Sequence, residues 1–283
     1  SKAKVARAMS LSVQNITPVI GAEVSGVDLG QIDDVTAAAL RRLLADRGVL
    51  VFRDQHLDHE AHKRAAACFG NGQLHCHPLA AISGSADPAV LTVKATANSA
   101  FVAGDGWHTD VSCDPAPIRA SLLYMHEVPE NGGGDTVFAS MTEAYALLSA
   151  PVRELIGKLR AVHDGALPWR QGYGKEPPAG TDYTRTVHPL VIAHPDNGKP
   201  LLWVNRGFTT QIEGVSRLES RHLLEMLFHH IEATPRVQCR VRWDKHTLVI
   251  WDNIATQHHA VWDYFPNSRY AERISVVGPR LSD

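Results

Sequence analysis

Cysteine, long apolar runs and net charge are all scarce in this chain of 283 residues. Its four cysteines form no CxxC pair, which is typical of a reducing cytoplasm rather than of a disulfide framework. No apolar run approaches the roughly 20 residues that span a bilayer, and the first residues lack the apolar segment of a signal peptide. A formal net charge of -2 provides no basic surface for nucleic acid. We therefore expect a cytoplasmic protein with neither a nucleic-acid nor a membrane partner.

Histidine, by contrast, is abundant. The sequence contains 16 histidines, and 44% of its residues are hydrophobic and 20% are charged, which is the composition of an ordinary globular protein. Histidine is the commonest protein ligand for metals and titrates near neutral pH. The number of histidines alone does not identify a metal or acid–base site, because most of these side chains must be structural or exposed.

Helical and strand patterns follow one another unevenly along the chain. Apolar residues at helical spacing predict helices over 34–46 and 58–69, with Asp33 or Asp34 capping the first and Asp58 the second. A buried strand is predicted between them at 48–52. From about residue 85 short strand-like runs dominate, at 89–93, 120–126, 186–194, 201–205, 237–243, 247–252 and 270–278. Helical insertions are predicted near 141–159 and 216–232.

The stretch 165–185 is rich in glycine, proline and charge. This composition predicts a loop, and we expect it to act as a lid because long structureless loops in compact domains tend to be functional. No internal repeat and no linker-like change of composition divides the chain. The sequence thus predicts one domain over 1–283, mainly β with flanking helices.

A histidine stands two residues before an acid at four places. The pairs are His56/Asp58, His108/Asp110, His194/Asp196 and His230/Glu232. The last pair lies on a predicted helix, where residues two apart point about 200° away from each other. The acid of the first pair is better used as a helix cap, and the third pair opens a hairpin turn rich in Asp, Asn and Gly. In an extended backbone His108 and Asp110 project from one face, so both can reach one ion.

A metal site needs a third ligand, and the stretch after the strand at 247–252 supplies His258 and His259. Two histidines and one carboxylate on one face form the facial triad of non-haem Fe(II) oxygenases, which leaves positions open for chemistry. Zinc prefers a closed shell of four ligands or a three-histidine site, so iron fits better. The alternative is that His108 is an exposed loop residue and His258 a satisfied buried one.

Two arginines near the end of the chain favour the metal site. Arg269 and Arg273 lie at positions that share one face of a strand, so both guanidiniums can point into one cavity. Arginine pairs in a bidentate manner with carboxylates. Two arginines beside an iron therefore indicate one or two anionic ligands.

These residues together resemble a known family. The motifs WHTDV (107–111), NGGGDT (131–136), VIWDN (249–253) and TQHHA (256–260), with Arg269 and Arg273, resemble the taurine dioxygenase (TauD/TfdA) family of Fe(II)- and 2-oxoglutarate-dependent dioxygenases. The likeness extends from VIGAEVSGVDL (19–29) to VVGPR (276–280). It implies a double-stranded β-helix, or jelly-roll, core.

The resemblance also implies a role for each site residue. The iron ligands would be His108, Asp110 and His258, because the family spacing after the WDN motif selects His258 over His259. Thr136 and Arg269 would hold the remote carboxylate of 2-oxoglutarate. The residues on the substrate side would be His77, Val111 and Arg273, of which His77 and Arg273 face the substrate anion. His75 is equally near in sequence, and the choice of His77 rests on the following Pro78.

The sequence departs from the taurine-using members of the family. The NGGGDT turn is one residue longer, and three positions that carry a tyrosine, an asparagine and a phenylalanine in those enzymes are here Ala80, Gly104 and Gly165. A site that loses hydrogen-bonding partners loses discrimination for a polar substrate. We therefore expect a larger, more apolar anion than taurine.

The expected reaction is hydroxylation of a C–H bond next to a heteroatom of a small organic anion, with release of succinate and CO2. An alkyl sulfate ester or a sulfonate is favoured, and a phenoxyalkanoate or amino-acid-like carboxylate is the alternative. A non-catalytic metal-binding jelly-roll protein is a further alternative, whereas a hydrolase lacks a GxSxG, P-loop or HExxH motif. The required partners would be Fe(II), 2-oxoglutarate and O2. By resemblance we also expect a homo-oligomer, either a dimer or a tetramer.

Overall fold

The computed structural model describes residues 11–77, 80, 84–102, 104–172, 180 and 183–281. The strands within these ranges are β1 (Ser12–Asn15), β2 (Ala22–Ser25), β3 (Val49–Phe52), β4 (Leu91–Ala95), β5 (Ile118–Glu127), β6 (Thr136–Ser140), β7 (Arg160–Asp164), β8 (Arg185–Pro189), β9 (Val191–Ala193), β10 (Pro200–Leu202), β11 (Thr209–Ile212), β12 (Gln238–Val241), β13 (Leu248–Asp252), β14 (Thr256–Ala260) and β15 (Arg269–Val277). The α-helices are α1 (Asp34–Arg47), α2 (His59–Ala67), α3 (Met141–Leu147), α4 (Ala150–Ile156), α5 (Leu167–Gly172) and α6 (Arg217–Glu232).

The longer helices begin at side-chain caps. Asp33 caps α1 and Asp58 caps α2, each accepting a hydrogen bond from a backbone N–H of the first turn. Ser216 and Glu219 form a reciprocal capping box at the start of α6. Each such cap contributes about 1 kcal/mol by satisfying a donor that the helix itself leaves unpaired. The predicted caps of the first two helices are confirmed.

Two sheets face each other across an apolar cluster. One sheet has the order β1-β2-β3-β13-β5-β15-β4, and a smaller one has the order β12-β6-β14. Val249 and Trp251 of β13 join the cluster between the sheets together with Phe138 of β6. Leu248 and Ile250 alternate with them and join the cluster on the other face of the large sheet. Alternate side chains of β13 therefore point to opposite faces of the large sheet, one toward the smaller sheet and the other away from it.

Helices cover the outer face of the large sheet. Leu40 and Leu44 of α1 and Ala65 of α2 pack in one cluster with Leu50 and Leu122 of the sheet. A third cluster joins α3 and α6 to β7, β9 and β10. Two smaller sheets, β11-β7-β8 and β10-β9, complete the part of the chain that is described. The protein is mainly β with flanking helices, as predicted.

Several predicted boundaries were wrong. The insertion at 141–159 holds two helices rather than one, since Pro151 lies in the first turn of α4 and favours a new helix start there. The predicted strand at 186–194 is divided into β8 and β9. The predicted loop at 165–185 includes α5, whereas its residues 173–179, 181 and 182 lie outside the described residues. Among the described helices, none combines the length and apolar character needed to cross a membrane.

Candidate active site

His108 and His258 face each other on two backbone segments that are paired in an antiparallel manner. His258 belongs to β14, and an isolated antiparallel bridge joins it to His108. The N–H of His108 donates to the carbonyl of His258 at 3.0 Å, and the reverse bond measures 2.9 Å. Residues paired in this way project their side chains to the same side of the ladder. The two imidazole centroids are accordingly 4.1 Å apart.

Asp110 is held in place through its backbone. The side chain of Asn253, which directly follows β13, accepts a hydrogen bond from the N–H of Asp110 and donates to its carbonyl, both at 3.0 Å. The extended segment ends here, because Val111 has a φ of 42°. A β-branched residue rarely adopts this left-handed conformation. The hydrogen bonds from Asn253 and the left-handed backbone at Val111 together place the carboxylate of Asp110 beside the histidines.

The three side chains present one ligand atom each to a common point. Their donor atoms all lie within 4.8 Å of one another. The Nε2 atoms of His108 and His258 are 3.7 and 3.9 Å from Oδ1 of Asp110. The hydroxyl of Ser121 donates to the other carboxylate oxygen at 3.3 Å, an orientation that leaves Oδ1 toward the histidines.

The hydrogen bond made by the His108 ring also suits a metal ligand. Its Nδ1 lies 2.9 Å from the carbonyl oxygen of Gly106. A carbonyl only accepts hydrogen bonds, so Nδ1 is the donor in this contact and Nε2 is the ring atom left to bind a metal. A set of two imidazoles and one carboxylate fits Fe(II), so the residues present match the ion that the sequence predicts.

Electrostatics favour the charge states that bind metal. Burial alone would raise the pKa of Asp110, but the charge of the Arg273 guanidinium holds that pKa well below its usual value. Nη1 of Arg273 is 2.6 Å from Oδ1 of Asp110. Burial and the neighbouring His108 lower the pKa of His258 well below its usual value. The carboxylate is thus ionised and the imidazole neutral, which are the forms that bind metal.

All eight predicted site residues line one cavity of about 820 Å³. They are His77, His108, Asp110, Val111, Thr136, His258, Arg269 and Arg273. Pro168, Trp169 and Gln171, from the segment predicted as a lid, line the same cavity. A volume of this size falls in the range of small-molecule sites.

Arg269 lines the cavity and is buried, with 3% of its surface exposed. Its Nε has no hydrogen-bond partner among the described residues, and burial lowers its pKa. Gly134 of the NGGGDT turn makes room for this side chain, because a Cβ at that position would lie 3.1 Å from Cδ of Arg269. A buried guanidinium of this kind fits an anionic group such as a carboxylate.

The other polar region of the cavity holds His75, His77 and Asp114. Burial and the nearby charge of Arg273 lower the pKa of His77 to about 3. His77 is therefore neutral at neutral pH and can contribute hydrogen bonds but no charge to anion binding. Nε2 of His75 lies 3.8 Å from Oδ2 of Asp114, and both candidate histidines line the cavity.

The three other histidine–acid pairs do not form sites. Asp58 caps α2. His194 lies in the turn between β9 and β10. Its ring bonds to buried Asp252, at the end of β13, at 2.8 Å. On α6, Glu232 pairs with Arg206, whereas the His230 ring bonds to a backbone carbonyl.

The three positions expected to shape the substrate site differ in their surroundings. Gly104 and Gly165 line the cavity, whereas Ala80, although buried, is not among its lining residues. Gly104 has a φ of +86°, and a Cβ there would lie 3.4 Å from Cε1 of His108. The backbone conformation therefore favours glycine at this position, in addition to any effect on substrate size, whereas a Cβ would make only an ordinary contact with the histidine ring.

Sequence reasoning assigned no role to three residues that support the site. Asn253 clamps Asp110. Gly207 lies against His108 so closely that a Cβ would be 2.7 Å from Cβ of His108. Trp243 donates to Thr136. The sequence did contain Asn253 in the VIWDN motif, Gly207 just after the predicted strand at 201–205 and Trp243 in the predicted strand at 237–243, but none of these patterns indicated a contact with the site.

Comparison with known proteins gives a consistent result. Residues 12–275 match the model of the family described as taurine catabolism dioxygenase TauD, TfdA family. An alpha-ketoglutarate-dependent sulfonate dioxygenase of Saccharomyces cerevisiae is 34% identical over 284 residues, which cover 95% of this chain and 68% of that protein. An alpha-ketoglutarate-dependent sulfate ester dioxygenase of Pseudomonas putida is 33% identical over 288 residues, covering 96% and 91% of the two chains.

A solved structure agrees with the sequence comparisons. A taurine dioxygenase from Burkholderia xenovorans has a TM-score of 0.81 and 34% identity, covering 95% of this chain and 90% of that one. The match extends over nearly all of the chain and includes the histidine–aspartate–histidine cluster of the cavity. The chain therefore belongs to the TauD/TfdA family and is a dioxygenase that uses Fe(II), 2-oxoglutarate and O2.

Proposed function

We propose that this dioxygenase hydroxylates a C–H bond next to a heteroatom of a small organic anion, with an alkyl sulfate ester or a sulfonate as the favoured substrate. The observation that carries this proposal is the cluster of His108, Asp110 and His258 in the wall of a cavity that also contains Arg269 and Arg273. The names of the two relatives, a sulfonate and a sulfate ester dioxygenase, support the substrate class.

Each residue has a role in the proposed reaction. His108, Asp110 and His258 hold Fe(II), which supplies the oxidation of a C–H bond coupled to decarboxylation of 2-oxoglutarate to succinate and CO2. Thr136 and Arg269 bind the remote carboxylate of 2-oxoglutarate through a hydroxyl hydrogen bond and an ion pair.

On the substrate side, Arg273 and His77 fix the anion, and Val111 lines the wall beside the metal ligands. Holding the substrate so that one C–H bond faces the metal supplies the orientation on which the reaction depends. When the hydroxylated carbon carries a sulfate or sulfonate group, the product collapses to an aldehyde and releases sulfate or sulfite.

The remainder of the cavity wall would exclude water. Trp107 and Trp169 line the cavity, and we propose that the segment 165–185 closes over bound substrate. A dry cavity protects the protein and the reaction from an unselective oxidant.

The proposal extends to architecture. We infer that the two facing sheets form a double-stranded β-helix (jelly-roll), that residues 1–283 form one domain, and that the protein is a homo-oligomer. The cluster of Phe138, Val249 and Trp251 between the sheets supports the first inference. Light scattering coupled to size-exclusion chromatography tests the oligomer, and a monomer would contradict it.

Succinate release tests the proposed function. The Fe(II)-loaded protein is assayed with 2-oxoglutarate, O2 and a panel of hexyl sulfate, hexanesulfonate, taurine and a phenoxyalkanoate. We expect turnover above background with the sulfate or the sulfonate and little with taurine. Preferred turnover of the phenoxyalkanoate would support the carboxylate alternative, and a complete lack of O2 consumption would support a non-catalytic metal-binding protein.

Two arginine variants separate the two anion sites. Arg269→Met should raise KM for 2-oxoglutarate by about 100-fold or more, since a buried charge-assisted pair is worth several kcal/mol. Arg273→Met should instead raise KM for the organic anion. Arg236, an exposed residue paired with Glu143, provides a matched control, and Arg236→Met should change neither constant. The reverse pattern would exchange the roles of the two arginines.

A further inference from the structure

Trp243 contacts both residues that are proposed to bind the remote carboxylate of 2-oxoglutarate. Its indole Nε1 donates a hydrogen bond to Oγ1 of Thr136 at 3.0 Å. The guanidinium carbon of Arg269 lies over its ring, 5.5 Å from the ring centroid. All three side chains are buried, and all three line the cavity.

The position of Trp243 follows from strand register. Val241 of β12 pairs directly with Thr136 of β6. Trp243 stands two residues further along the chain, so in an extended backbone it projects from the same face as Val241. The indole is thereby brought to the end of β6 where Thr136 begins the strand.

The indole fixes how Thr136 uses its hydroxyl. An indole N–H only donates, so the Thr136 oxygen must accept this bond. The hydroxyl proton is then free to be donated to a second group. Since Thr136 lines the cavity, an anion there is the natural acceptor.

The same ring also faces the cation of Arg269. Among the described residues, no carboxylate forms an ion pair with Arg269, and its Nε lacks a hydrogen-bond partner. An aromatic face stabilises a guanidinium that burial has stripped of water. The ring therefore helps to keep the guanidinium in the cavity wall before an anion arrives.

We propose that Trp243 is a positioning residue that sets the Thr136 hydroxyl and the Arg269 guanidinium for the remote carboxylate of 2-oxoglutarate. This inference rests on the proposed function, because that function assigns Thr136 and Arg269 to the co-substrate. Trp243 acts through these two side chains and takes no part in the chemistry.

Calorimetric titration of the Fe(II)-loaded protein under anaerobic conditions tests the proposal without measuring turnover. Two probes are compared, 2-oxoglutarate and 2-oxopentanoate, which has the same number of carbons but no remote carboxylate. Trp243→Phe keeps an aromatic ring and removes the N–H donor. It should weaken 2-oxoglutarate binding by about tenfold and change the Kd of 2-oxopentanoate by less than twofold.

A double-mutant cycle shows whether Trp243 acts through Thr136. Thr136→Val should weaken 2-oxoglutarate to a similar degree, and the double variant should be little weaker than either single one. Additive losses would overturn the proposal, and so would equal losses for both probes, which would indicate a general distortion of the cavity. If Trp243→Phe melts below the assay temperature, Trp243→Leu, which also lacks a hydrogen-bond donor, should weaken 2-oxoglutarate binding by at least as much and still spare 2-oxopentanoate.

Trp203 supplies the matched control. It is another buried tryptophan, and its Nε1 has no hydrogen-bond partner among the described residues. Trp203→Phe should leave the Kd of both probes within twofold of wild type.

If Arg269→Met weakens 2-oxoglutarate binding and Trp243→Phe does not, only the role of Trp243 is refuted. A wild-type protein that fails to bind 2-oxoglutarate would refute the proposed function and this inference with it.

Discussion

His108 and His258 donate their backbone N–H groups to each other's carbonyl oxygens, at 3.0 and 2.9 Å, across a single antiparallel bridge. This one pairing brings together two histidines that are distant in sequence and turns both rings to the same side. His259, the next residue along β14, faces the opposite way and bonds to Asp105 at 3.1 Å. Strand geometry thus separates two adjacent histidines into one candidate ligand and one peripheral residue.

The adjacent histidines predict a contrast between two variants. His258→Ala should weaken Fe(II) or Mn(II) binding by at least about 100-fold, since changes to groups that merely support a ligand already cost 10- to 100-fold. His259→Ala should bind metal within a few-fold of wild type, because its ring bonds to Asp105 and forms a T-shaped contact with Trp107. Anaerobic calorimetry measures both. Equal losses in the two variants would contradict the assignment of His258.

Gly207 predicts a steric effect on the same site. A Cβ at this position would lie 2.7 Å from Cβ of His108, so Gly207→Ala must displace the histidine or its strand. Overpacking of this kind costs about 1–3 kcal/mol, and we expect the metal affinity to fall by about tenfold as well. Gly157 caps α4 with a φ of -61°, so Gly157→Ala is the control. Thermal unfolding of both variants measures the loss of stability, and metal titration measures the loss of affinity. Unchanged metal affinity of Gly207→Ala would refute the steric argument.

Much of the site could be predicted because its residues stand in patterns with a fixed period. The separation of two residues between His108 and Asp110, and of four between Arg269 and Arg273, indicates a shared face on an extended chain. All four side chains do line one cavity. The choice between His258 and His259, however, came from the family resemblance. Periodicity could not make it, because β14 was not predicted from its sequence.

The residues that support the site could not be predicted because their contacts span long separations. Asn253 binds Asp110 across 143 positions, and Trp243 binds Thr136 across 107. No local pattern encodes such a pairing, since it depends on how the strands are ordered in their sheets. The strands β6 and β14 were missed for a different, local reason. Buried polar residues such as Thr136 and Gln257 interrupt the apolar alternation by which strands are recognised.

Asn253 predicts a joint loss of stability and metal affinity. Its amide accepts from the N–H of Asp110 and donates to the carbonyls of Asp110 and Ile118, each at 3.0 Å. Asn253→Ala leaves these buried groups unsatisfied, at about 1–3 kcal/mol for each, and frees the carboxylate to move. We expect the melting temperature to fall and metal to bind at least about tenfold more weakly. Asn267, whose amide donates to the nearby carbonyl of Tyr264, is the control.

If Asn253→Ala loses stability but keeps the metal affinity of the wild type, the clamp serves the fold alone. Asn267→Ala should change metal affinity by less than twofold. A comparable loss of affinity in this control would show that the titration reports general destabilisation rather than the position of Asp110.

Glu272 predicts how stability depends on pH. This glutamate of β15 is 5% exposed, and it is held by His126, His59 and the hydroxyl of Tyr270 at distances of 2.9, 2.9 and 2.8 Å. The hydrogen bond with His126 is the main cause that lowers its pKa from 4.5 to about 2. Because the pKa is lower in the folded state, the ionised carboxylate stabilises the fold above pH 4.5. This stabilisation is lost as the pH falls toward 2.

Chemical denaturation of wild type and Glu272→Gln at pH 5.5 and 3.5 measures this effect. The two pH values lie on either side of the ordinary pKa of a glutamate, 4.5. The variant should be the less stable protein at pH 5.5, and the difference in unfolding free energy should shrink by roughly 1 kcal/mol at pH 3.5. Glu130 is exposed, and Glu130→Gln should show no such change. A difference between wild type and Glu272→Gln that stays constant across the window would mean that the carboxylate is not preferentially ionised in the folded protein.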